Sequence, residues 1–550
     1  MARQVIGIDL GTTNSVVATV DDNGIVVVLP NADGGQVTPS VVYFEPDGTA
    51  LVGSEAVREA AFDPENGVRL VKRSMGTEFP LHIRGQQHTP ESISALILRQ
   101  LVSAALGGVP GGPAEGVAVS AVITVPAYFG TAEREATHQA GVIAGLDVLE
   151  LLDEPVAAAT HYGLATAGDR TVLVYDLGGG TFDTTVLRIE NGAVRVLATD
   201  GHHELGGADV DRRLLDLVTE RLAAALSPDE VEDLTDDQAW LAELVLDVEV
   251  AKKDLSKVTS REISVRTPRG RAVVTITRSD LDEACSDLYS TTAEIIERVL
   301  GASRIPRGLV DEVIMVGGSS RIPVLAERLT AMLGRVPQLV DPDLAVAKGA
   351  ALRAHHLVGS AQMSALTARR RGTLPGSAAA SNSGGSGPYG GARRGSLVTG
   401  PGTVTPVTPR AVGILIEDSH DPAGQRSFIA HMVTANTPLP VDKTEHFGTI
   451  LLNQDSVRIQ VYEQSGPVLS PEVGHNRRVL DGELSGLGTL PAGSVIQITL
   501  RIAIDGRLMV IAHEPRSRKE LTLEAFVEGV IDSAEAQRLM DMVSQTRTRG

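Results

Sequence analysis

The sequence predicts an α/β protein in two parts: a large unit over residues 1–357 with alternating strands and helices, and a smaller, mainly β unit over residues 406–550. In the first unit, β-branched runs such as IGIDL and VAVSAVITV alternate with stretches of helical apolar spacing such as TAEREATHQAGVIAG. In the second unit, alternating runs such as SVRIQVYE are separated by turn residues. Apolar residues make up 42% of the chain, which is enough for large cores.

Charge and cysteine content exclude several classes of protein. The formal net charge is -20, so the chain should be repelled by nucleic acid and by anionic lipid. Cys285 is the single cysteine, which excludes an intramolecular disulfide and a cysteine-based zinc site. The start MARQVIGIDLG places Asp9 where a signal peptide needs apolar residues, so a cytoplasmic protein is expected.

One internal repeat organises the first unit. The segment IGIDLGTTNSVVATV at 6–20 resembles VLVYDLGGGTFDTTVLRI at 172–189. Each copy reads as an apolar strand ending in Asp, then Leu-Gly, a turn rich in Gly and Thr, and a second strand. The repeat predicts two similar half-domains that face each other.

The repeated turns have the chemistry of a phosphate site. Backbone N–H groups in a Gly/Thr turn can converge on an anion, and an Asp just before the turn suits a hydrated divalent cation. The alternative is that these are two ordinary hairpins with tight turns and no ligand. The similarity of the two copies argues against this alternative. The predicted phosphate ligands are Thr12, Thr13, Gly178, Gly179, Gly180 and Thr181. A strand entering Gly317-Gly318 adds a place for close approach to a ring or sugar.

Residues 358–405 are predicted to form a flexible linker. No acidic residue occurs between Asp343 and Glu417, and Gly, Ser, Ala and Pro dominate this stretch, with basic patches. A flexible coil of this length would span roughly 35–40 Å and would transmit no strain. Communication between the units should then depend on their direct contact. Beyond the linker, a β-sandwich is expected over 406–528 and a short helix within 529–550.

Six motifs in the first unit resemble the DnaK-type heat shock protein 70 chaperones. They are DLGTTNS (9–15), VPAYF (125–129), DEPVAAATHYGL (153–164), DLGGGTFD (176–183), LGGADVD (205–211) and VGGSSRIP (316–323). The resemblance covers essentially all of 1–357 and implies an actin-like two-lobed ATPase domain, a duplicated ribonuclease-H-like fold. The implied activity is that of an ATP-dependent chaperone, with ATP or ADP as the nucleotide.

The resemblance implies roles for individual residues. Asp9 and Asp176 match acids that hold Mg²⁺ through water, and Asp183 with Asp9 suits a bound K⁺. Lys72, Glu154, Thr181 and Asp176 match the catalytic centre. The remaining nucleotide contacts are Gly11, Thr12, Thr13, Gly178, Gly179, Gly180, Gly206, Gly207, Glu249, Lys252, Lys253, Ser256, Gly317, Gly318, Ser319, Arg321 and Asp343. For Lys252 and Lys253, a solvated helix face is the alternative interpretation.

The second unit resembles the sandwich with which the same family binds extended peptides. VTPRAVGILI (407–416), NTPLP (436–440), FGT (447–449) and NQDSVRIQVYE (453–463) follow in the family's order. The residues matching the apolar peptide pocket are Ile414, Phe447, Val457 and Ile459. The resemblance implies unfolded polypeptides as partners and a J-domain co-chaperone, with the chain acting as a monomer.

Three departures from the family limit the comparison. One short helix stands in place of the family's long helical lid. In this short length and missing lid, the chain resembles the HscC-like paralogues. The Gly/Ser-rich stretch replaces the family's apolar linker, and Glu150 and Asp153 stand where Arg and Asn are typical of the J-domain docking face. A small-molecule kinase of the actin-like superfamily and an ATP-binding actin-like scaffold remain alternatives, although neither gives the sandwich a role.

Overall fold

The computed structural model describes residues 3–107, 118–163, 168–191, 193–224, 226–227, 230, 234, 236–267, 270–372, 404–418, 426–466, 468–524 and 533–550. Side chains in the segment 270–372 are described as far as residue 360. Within these ranges, no helix combines the length and the apolar character that a membrane span requires.

The first lobe is an α/β layer built on one central sheet. Its elements are β1 (Arg3–Asp9), β2 (Asn14–Val20), β3 (Val26–Val28), β4 (Thr38–Pro39), β5 (Val42–Phe44), β6 (Ala50–Val52), α1 (Ser54–Phe62), β7 (Gly67–Val68), β8 (Leu81–Ile83), β9 (Gln86–His88), α2 (Pro90–Ala105), β10 (Ala118–Val125), α3 (Thr131–Ile143), β11 (Asp147–Asp153) and α4 (Glu154–Gly163).

The second lobe repeats this plan. It contains β12 (Arg170–Leu177), β13 (Phe182–Glu190), β14 (Ala193–His202), α5 (Gly207–Ala223), α6 (Gln238–Leu255), β15 (Ser260–Thr267), β16 (Gly270–Thr277), α7 (Arg278–Ala284), α8 (Ser286–Ser303), β17 (Glu312–Val316), α9 (Pro323–Leu333), β18 (Gln338–Leu339), α10 (Ala345–Gly372) and β19 (Val404–Thr405).

The two central sheets share one topology. The first has the strand order β11-β10-β1-β2-β3, and the second has the order β18-β17-β12-β13-β14. In each sheet, two consecutive strands form an antiparallel hairpin, β1-β2 in the first lobe and β12-β13 in the second. The first strand of each hairpin also pairs in parallel with a later strand, β10 in the first lobe and β17 in the second. The duplicated half-domains that the internal repeat predicts are therefore present, and the fold is the two-lobed α/β arrangement.

Helix α5 shows why these sequences fold as they do. Its apolar residues recur at intervals of four, and Val210, Leu214, Val218 and Leu222 are all buried. They pack into the core of the second lobe, while the polar positions between them face outward. Strand β12 is buried along its whole length, as expected for the centre of a sheet covered on both faces.

The second unit is a sandwich of two antiparallel sheets. Its strands are β20 (Val412–Glu417), β21 (Ser427–Val433), β22 (Val441–Gly448), β23 (Gln454–Gln464), β24 (Asn476–Leu490), β25 (Val495–Ile502), β26 (Leu508–Glu514) and β27 (Lys519–Glu524), followed by α11 (Ser533–Gln545) and β28 (Thr548–Arg549). One sheet has the order β21-β20-β23-β24 and the other β22-β25-β26-β27.

The segment between the units differs from the sequence expectation at its two ends. Helix α10 continues through 358–372, which the sequence assigned to the linker. At the other end, β19 joins the second lobe's sheet, with Val404 and Thr405 opposite Val194 and Arg195 of β14. The central part, 373–403, lies outside the described residues, so the flexible linker stays a prediction.

The sandwich packs directly on the first lobe at the beginning of α3. The Glu463 carboxylate of β23 accepts hydrogen bonds from the Thr131 backbone N–H at 3.0 Å and from the Thr131 hydroxyl at 3.1 Å. Arg477 from the sandwich pairs with Glu133 of α3 at 3.0 Å, and Arg410 lies 3.5 Å from both carboxylates. Two carboxylates and two guanidinium groups therefore meet at this contact, which we call the docking cluster (Glu133, Arg410, Glu463, Arg477).

Candidate nucleotide site

A cavity of about 790 Å³ lies between the two lobes. The predicted residues that line it are Asp9, Gly11, Thr12, Thr13, Lys72, Glu154, Asp176, Gly178, Gly179, Thr181, Glu249, Lys252, Lys253, Ser256, Gly317, Gly318, Ser319, Arg321 and Asp343. Predicted residues outside this lining are Gly180, Asp183, Gly206 and Gly207. The two hairpins and the Gly317-Gly318 turn thus converge on one space, although the first hairpin and this turn are about 300 residues apart in sequence.

The two repeated turns face each other across the cavity. A Cβ on Gly179 would lie 1.7 Å from the Thr13 hydroxyl, and one on Gly180 would lie 2.2 Å from the Thr12 methyl group. Any side chain at these glycines would push the turns apart. The Thr13 hydroxyl is buried and has no hydrogen-bond partner among the described residues. A free buried donor between two turns suits an oxygen of a bound phosphate.

The floor of the cavity carries an excess of negative charge. Burial, and then the neighbouring Glu154 carboxylate, raise the pKa of Asp9 to about 7. The same two causes, in that order, raise the pKa values of Asp176 and Asp183 well above the ordinary value. Lys72 is the positive group that opposes this charge in all three cases. Three carboxylates of the lining, the buried Asp183 carboxylate beside them and one ammonium leave a deficit of positive charge at this end of the cavity.

Lys72 is held at the centre of this group. Its ammonium donates to the Glu154 carboxylate at 2.5 Å and to the Leu10 carbonyl at 2.6 Å, and the residue is only 4% exposed. The Phe129 ring covers it, with the ring centre 5.8 Å from Nζ. Glu154 is the first residue of α4, and Leu10 follows β1 directly. Packing and two charge-assisted hydrogen bonds thus fix the ammonium in the cavity wall.

The donor set fits a magnesium-bound nucleotide. Carboxylate oxygens are the ligands that Mg²⁺ prefers, and the charge deficit at Asp9 and Asp176 is of the sign that a divalent cation corrects. The unpartnered Thr13 hydroxyl and the glycines of the facing turns fit the phosphates. Asp183 does not line the cavity; its carboxylate accepts a hydrogen bond from the Tyr128 N–H at 3.3 Å and lies opposite Asp176 in the sheet.

The residues expected to contact adenosine lie at the outer end of the cavity. The two adjacent lysines, Lys252 and Lys253, have different surroundings there. Lys252 donates to the Gly207 carbonyl at 2.9 Å and to Asp211 at 2.6 Å, so the solvated-face alternative does not hold for this lysine. The side chain of Lys253 is 64% exposed and pairs with Glu249 one turn earlier. Arg321 pairs with Asp343 at the same end. Gly206 and Gly207 pack behind the phosphate turn, where a Cβ on Gly206 would lie 2.6 Å from the Gly180 nitrogen.

Arg73 is a residue of the site that the sequence analysis missed. It belongs to the first lobe and donates to the Gly180 carbonyl of the second lobe at 2.9 and 2.7 Å. It also pairs with Asp209 at 2.6 Å, and Asp209 in turn accepts a hydrogen bond from the Gly206 N–H. Arg73 therefore connects the lobes beside the phosphate turn. Its position next to Lys72 in the sequence was the available signal.

Comparison with known proteins decides the family. The Hsp70 protein family matches residues 5–82, 80–368 and 419–549. The chain belongs to the Hsp70 family. The chaperone protein DnaK of Thermotoga petrophila is 35% identical over 550 residues, with 98% of this chain and 83% of the relative covered. The DnaK of Deinococcus radiodurans is 34% identical over 578 residues, covering 98% and 82%. The DnaK of Thermosipho melanesiensis is 34% identical over 533 residues, covering 94% and 79%.

Membership of the Hsp70 family establishes the general activity. The chain is an ATP-dependent molecular chaperone with ATPase activity, it binds nucleotide, and its partners are unfolded polypeptides. The small-molecule kinase and the filament-like scaffold are not favoured, since the match extends across both the lobes and the sandwich. The family thereby accounts for the tethered sandwich, which neither alternative explained.

The residues predicted for the peptide pocket of this Hsp70 protein all belong to, or pack against, one apolar core of the sandwich. Ile414 and Ile459 are buried at 3% and 2% exposure, and Phe447 and Val457 are half-buried against the same core. Their role in peptide binding stays a prediction. The connection between β22 and β23 carries three consecutive exposed apolar side chains, at residues 450–452, with exposed fractions of 46%, 62% and 75%.

The two acidic residues on the expected J-domain face are paired within the protein. Asp153 is buried and forms an ion pair with Arg134 at 2.5 Å. Glu150 accepts two hydrogen bonds from the Arg353 guanidinium, at 3.0 and 2.9 Å, with only 11% of its side chain exposed. Neither carboxylate offers a free negative charge to an incoming basic helix.

Proposed function

We propose that the cavity between the lobes hydrolyses ATP by in-line attack of water on the γ-phosphorus, with Lys72, Glu154, Thr181 and Asp176 as its catalytic groups. The oxygen of water forms a bond to phosphorus while the bond to the β,γ-bridging oxygen breaks, and the proton of water leaves with the phosphate. The observation that carries this proposal is the buried Lys72 ammonium, held by Glu154 and the Leu10 carbonyl at the cavity floor. A fixed ammonium there stabilises the charge of the transferred group.

Asp9 and Asp176 are proposed to hold Mg²⁺ through water, and Asp9 with Asp183 to hold K⁺. Magnesium, when bound, supplies positive charge for the phosphate oxygens. The facing turns bind the phosphates through backbone N–H groups and the hydroxyls of Thr12, Thr13 and Thr181. Glu154 orients Lys72, and the excess of carboxylate over ammonium charge supports the binding of a cation.

Removal of the Lys72 ammonium tests this assignment. Lys72→Ala should slow single-turnover hydrolysis by at least about tenfold and leave the dissociation constant for ATP within about threefold, as expected for a group that acts in the transition state. Lys443→Ala, on an edge strand of the sandwich, is the matched control and should change neither quantity. Hydrolysis by Lys72→Ala at the rate of the unmodified protein would overturn the assignment.

The sandwich is proposed to bind extended apolar peptide segments at Ile414, Phe447, Val457 and Ile459. Two observations support this: β22 is an edge strand of its sheet, and the connection that follows it exposes three apolar side chains at residues 450–452. An edge strand offers main-chain hydrogen bonds, and apolar side chains beside it provide selectivity. The double variant Leu451→Ser, Leu452→Ser should weaken binding of a fluorescent apolar peptide several-fold. Unchanged affinity would contradict the pocket's location.

We further propose that the protein acts as a cytoplasmic monomer and works with a dedicated J-domain partner. Glu150 and Asp153 replace the Arg and Asn that are typical of this face, and their pairing with Arg353 and Arg134 leaves no free charge at these two positions for a general J-domain to contact. Strong stimulation of ATP turnover by a housekeeping J-protein at submicromolar concentration would contradict a dedicated partner.

A further inference from the structure

The last described segment of the chain, residues 533–550, packs into the first lobe. Helix α11 lies against α2 and α3, and its residues Leu539 and Val543 are 0% and 1% exposed within the core of that lobe. These two side chains are as buried as those of the central strands. The segment is thus part of the lobe's core and does more than touch its surface.

An arginine of the first lobe caps the end of α11. The Arg99 guanidinium, from the middle of α2, donates to the carbonyls of Val543, Thr546 and Ser544, the last two at 3.0 and 3.2 Å. The final carbonyls of a helix have no partner within the helix, and a buried guanidinium needs acceptors. Each satisfies the other, although the two are more than 440 residues apart in sequence.

The segment then adds a strand to the lobe. Strand β28 pairs in parallel with β6, with Thr548 opposite Ala50, and so extends the sheet β6-β5-β7. The Ala50 N–H donates to the Arg547 carbonyl at 2.8 Å, and Thr548 is 2% exposed. The Arg549 guanidinium lies 3.1 Å from Glu55. Main-chain pairing thus continues beyond the helix.

A cover that opens and closes with the nucleotide needs two states of similar free energy. Release of 533–550 would remove the carbonyl acceptors of the Arg99 guanidinium, expose the apolar surface that Leu539 and Val543 cover, and leave an unpaired edge on β6. Detachment of the segment would incur all three free-energy costs at once. Among the described residues, the segment contacts none of the residues proposed to bind peptide. The attached state is therefore strongly favoured.

We propose that residues 533–550 are a permanent part of the first lobe and do not serve as a nucleotide-operated cover of the peptide site. The sandwich is then held at both ends: β19 fixes its start to the second lobe, and β28 fixes its end to the first. This inference depends on the contacts of α11 and β28 and not on the peptide pocket proposed above.

Hydrogen exchange on the full-length protein tests the inference directly. The amides of residues 545–549 and of Ala50 should show protection factors that agree within about threefold between saturating ADP and saturating ATP. A fall in protection of about a hundredfold or more in either nucleotide, confined to this segment, would show that the segment detaches and would overturn the inference.

A covalent lock provides a second test. Paired Cα atoms on neighbouring strands lie about 4.8 Å apart, so Ala50→Cys with Thr548→Cys can form a disulfide, and the native Cys285 is buried in another core. Peptide release rates in ADP and in ATP should be the same for the oxidised and reduced double variant, with each single variant as a control. A lock that changes the release rate in one nucleotide only would mean that the segment moves.

Removal of the cap gives a third readout. The unfolding transition of the lobes is the one whose thermal midpoint Mg²⁺-ATP raises. If the segment belongs to the lobe, Arg99→Gln should lower this midpoint, and Arg99→Lys should lower it less. If that midpoint stays unchanged while only the segment's amides lose protection, the segment is a separate element and the inference fails.

Discussion

At the scale of single residues, the clustered carboxylates of the cleft lower the stability of the nucleotide-free protein. Asp176 is buried beside Asp9 and Glu154, and Lys72 opposes all of them. Such a cluster is unfavourable until a cation binds. Asp176→Asn should therefore raise the thermal midpoint of the nucleotide-free protein by about 2 °C or more. It should also abolish most of the additional stabilisation by Mg²⁺-ATP. Calorimetry with and without Mg²⁺-ATP measures both effects, and an unchanged Mg²⁺-ATP shift would contradict the metal assignment.

A second residue makes the stability of the first lobe depend on pH. His88 is 1% exposed, neither ring nitrogen has a partner among the described residues, and its ring lies 4.5 Å from that of Phe44. Burial, and then the charge of Arg538 on α11, lower the pKa of His88 to about 4. The unfolded chain, with an ordinary histidine pKa near 6.5, binds the proton more readily.

Stability should thus fall as the pH drops from about 6.5 to about 4, because the unfolded state gains the proton first. His88→Leu keeps an apolar group of similar size at the site and should flatten this part of the curve. The measurement is the difference in thermal midpoint between the unmodified protein and the variant at pH 7.5 and at pH 5. Equal falls in both proteins would assign the pH dependence to other groups.

At the scale of elements, the start of α3 is completed by the sandwich. The helix begins after Gly130, which has no side chain to cap it, and the Glu463 carboxylate of β23 takes that place. Burial alone would raise the pKa of Glu133 in the same cluster, but Arg410 and Arg477 hold it below its ordinary value. The helix and the sandwich therefore satisfy each other's charged groups when docked.

Gly130 is the residue through which this contact can be broken selectively. A Cβ there would lie 2.2 Å from a Glu463 carboxylate oxygen, while the backbone angle φ of -79° is open to any residue. Gly130→Ala should thus disfavour docking of the sandwich without disturbing the lobe. The Thr131 amide, which donates to Glu463, should lose protection from hydrogen exchange, and single-turnover ATP hydrolysis should persist.

Gly301→Ala is the matched control for this variant, since a Cβ at Gly301 in α8 would meet nothing within 4 Å. Its Thr131 amide should keep the protection that it has in the unmodified protein. A Gly130→Ala protein that has lost this protection but retains ATP-dependent peptide release would show that the docking cluster does not couple the two units.

At the scale of the whole molecule, coupling between nucleotide and peptide should be weak. The segment 533–550 packs on the first lobe, so it does not hold a bound peptide in place, and escape depends on the sandwich's own contacts. Peptide should dissociate quickly in ADP, with less than about a hundredfold acceleration by ATP. Stopped-flow release of a fluorescent apolar peptide measures both rates. Slow release in ADP with acceleration beyond that factor would refute weak coupling.

Local patterns in the sequence determined the two-part organisation and most of the nucleotide cleft. The repeat at 6–20 and 172–189 predicted two facing half-domains, and the sheets of the two lobes have the same strand order. The short helix expected within 529–550 is also present, at Ser533–Gln545, because helical spacing is encoded within a few residues. The hydrophobic pattern that buries a strand or a helix face is local in the same way.

Contacts between distant segments were decided by the tertiary structure alone. Nothing in the sequence around Arg99 shows that it caps a helix more than 440 residues later, or that Glu463 completes α3. The residues near Glu150 and Asp153 in the chain do not show which cations pair with them; the fold supplies Arg353 and Arg134. A buried charge must find an opposite charge, but which residue provides it depends on the packing of whole elements, and a pattern along one segment does not contain that information.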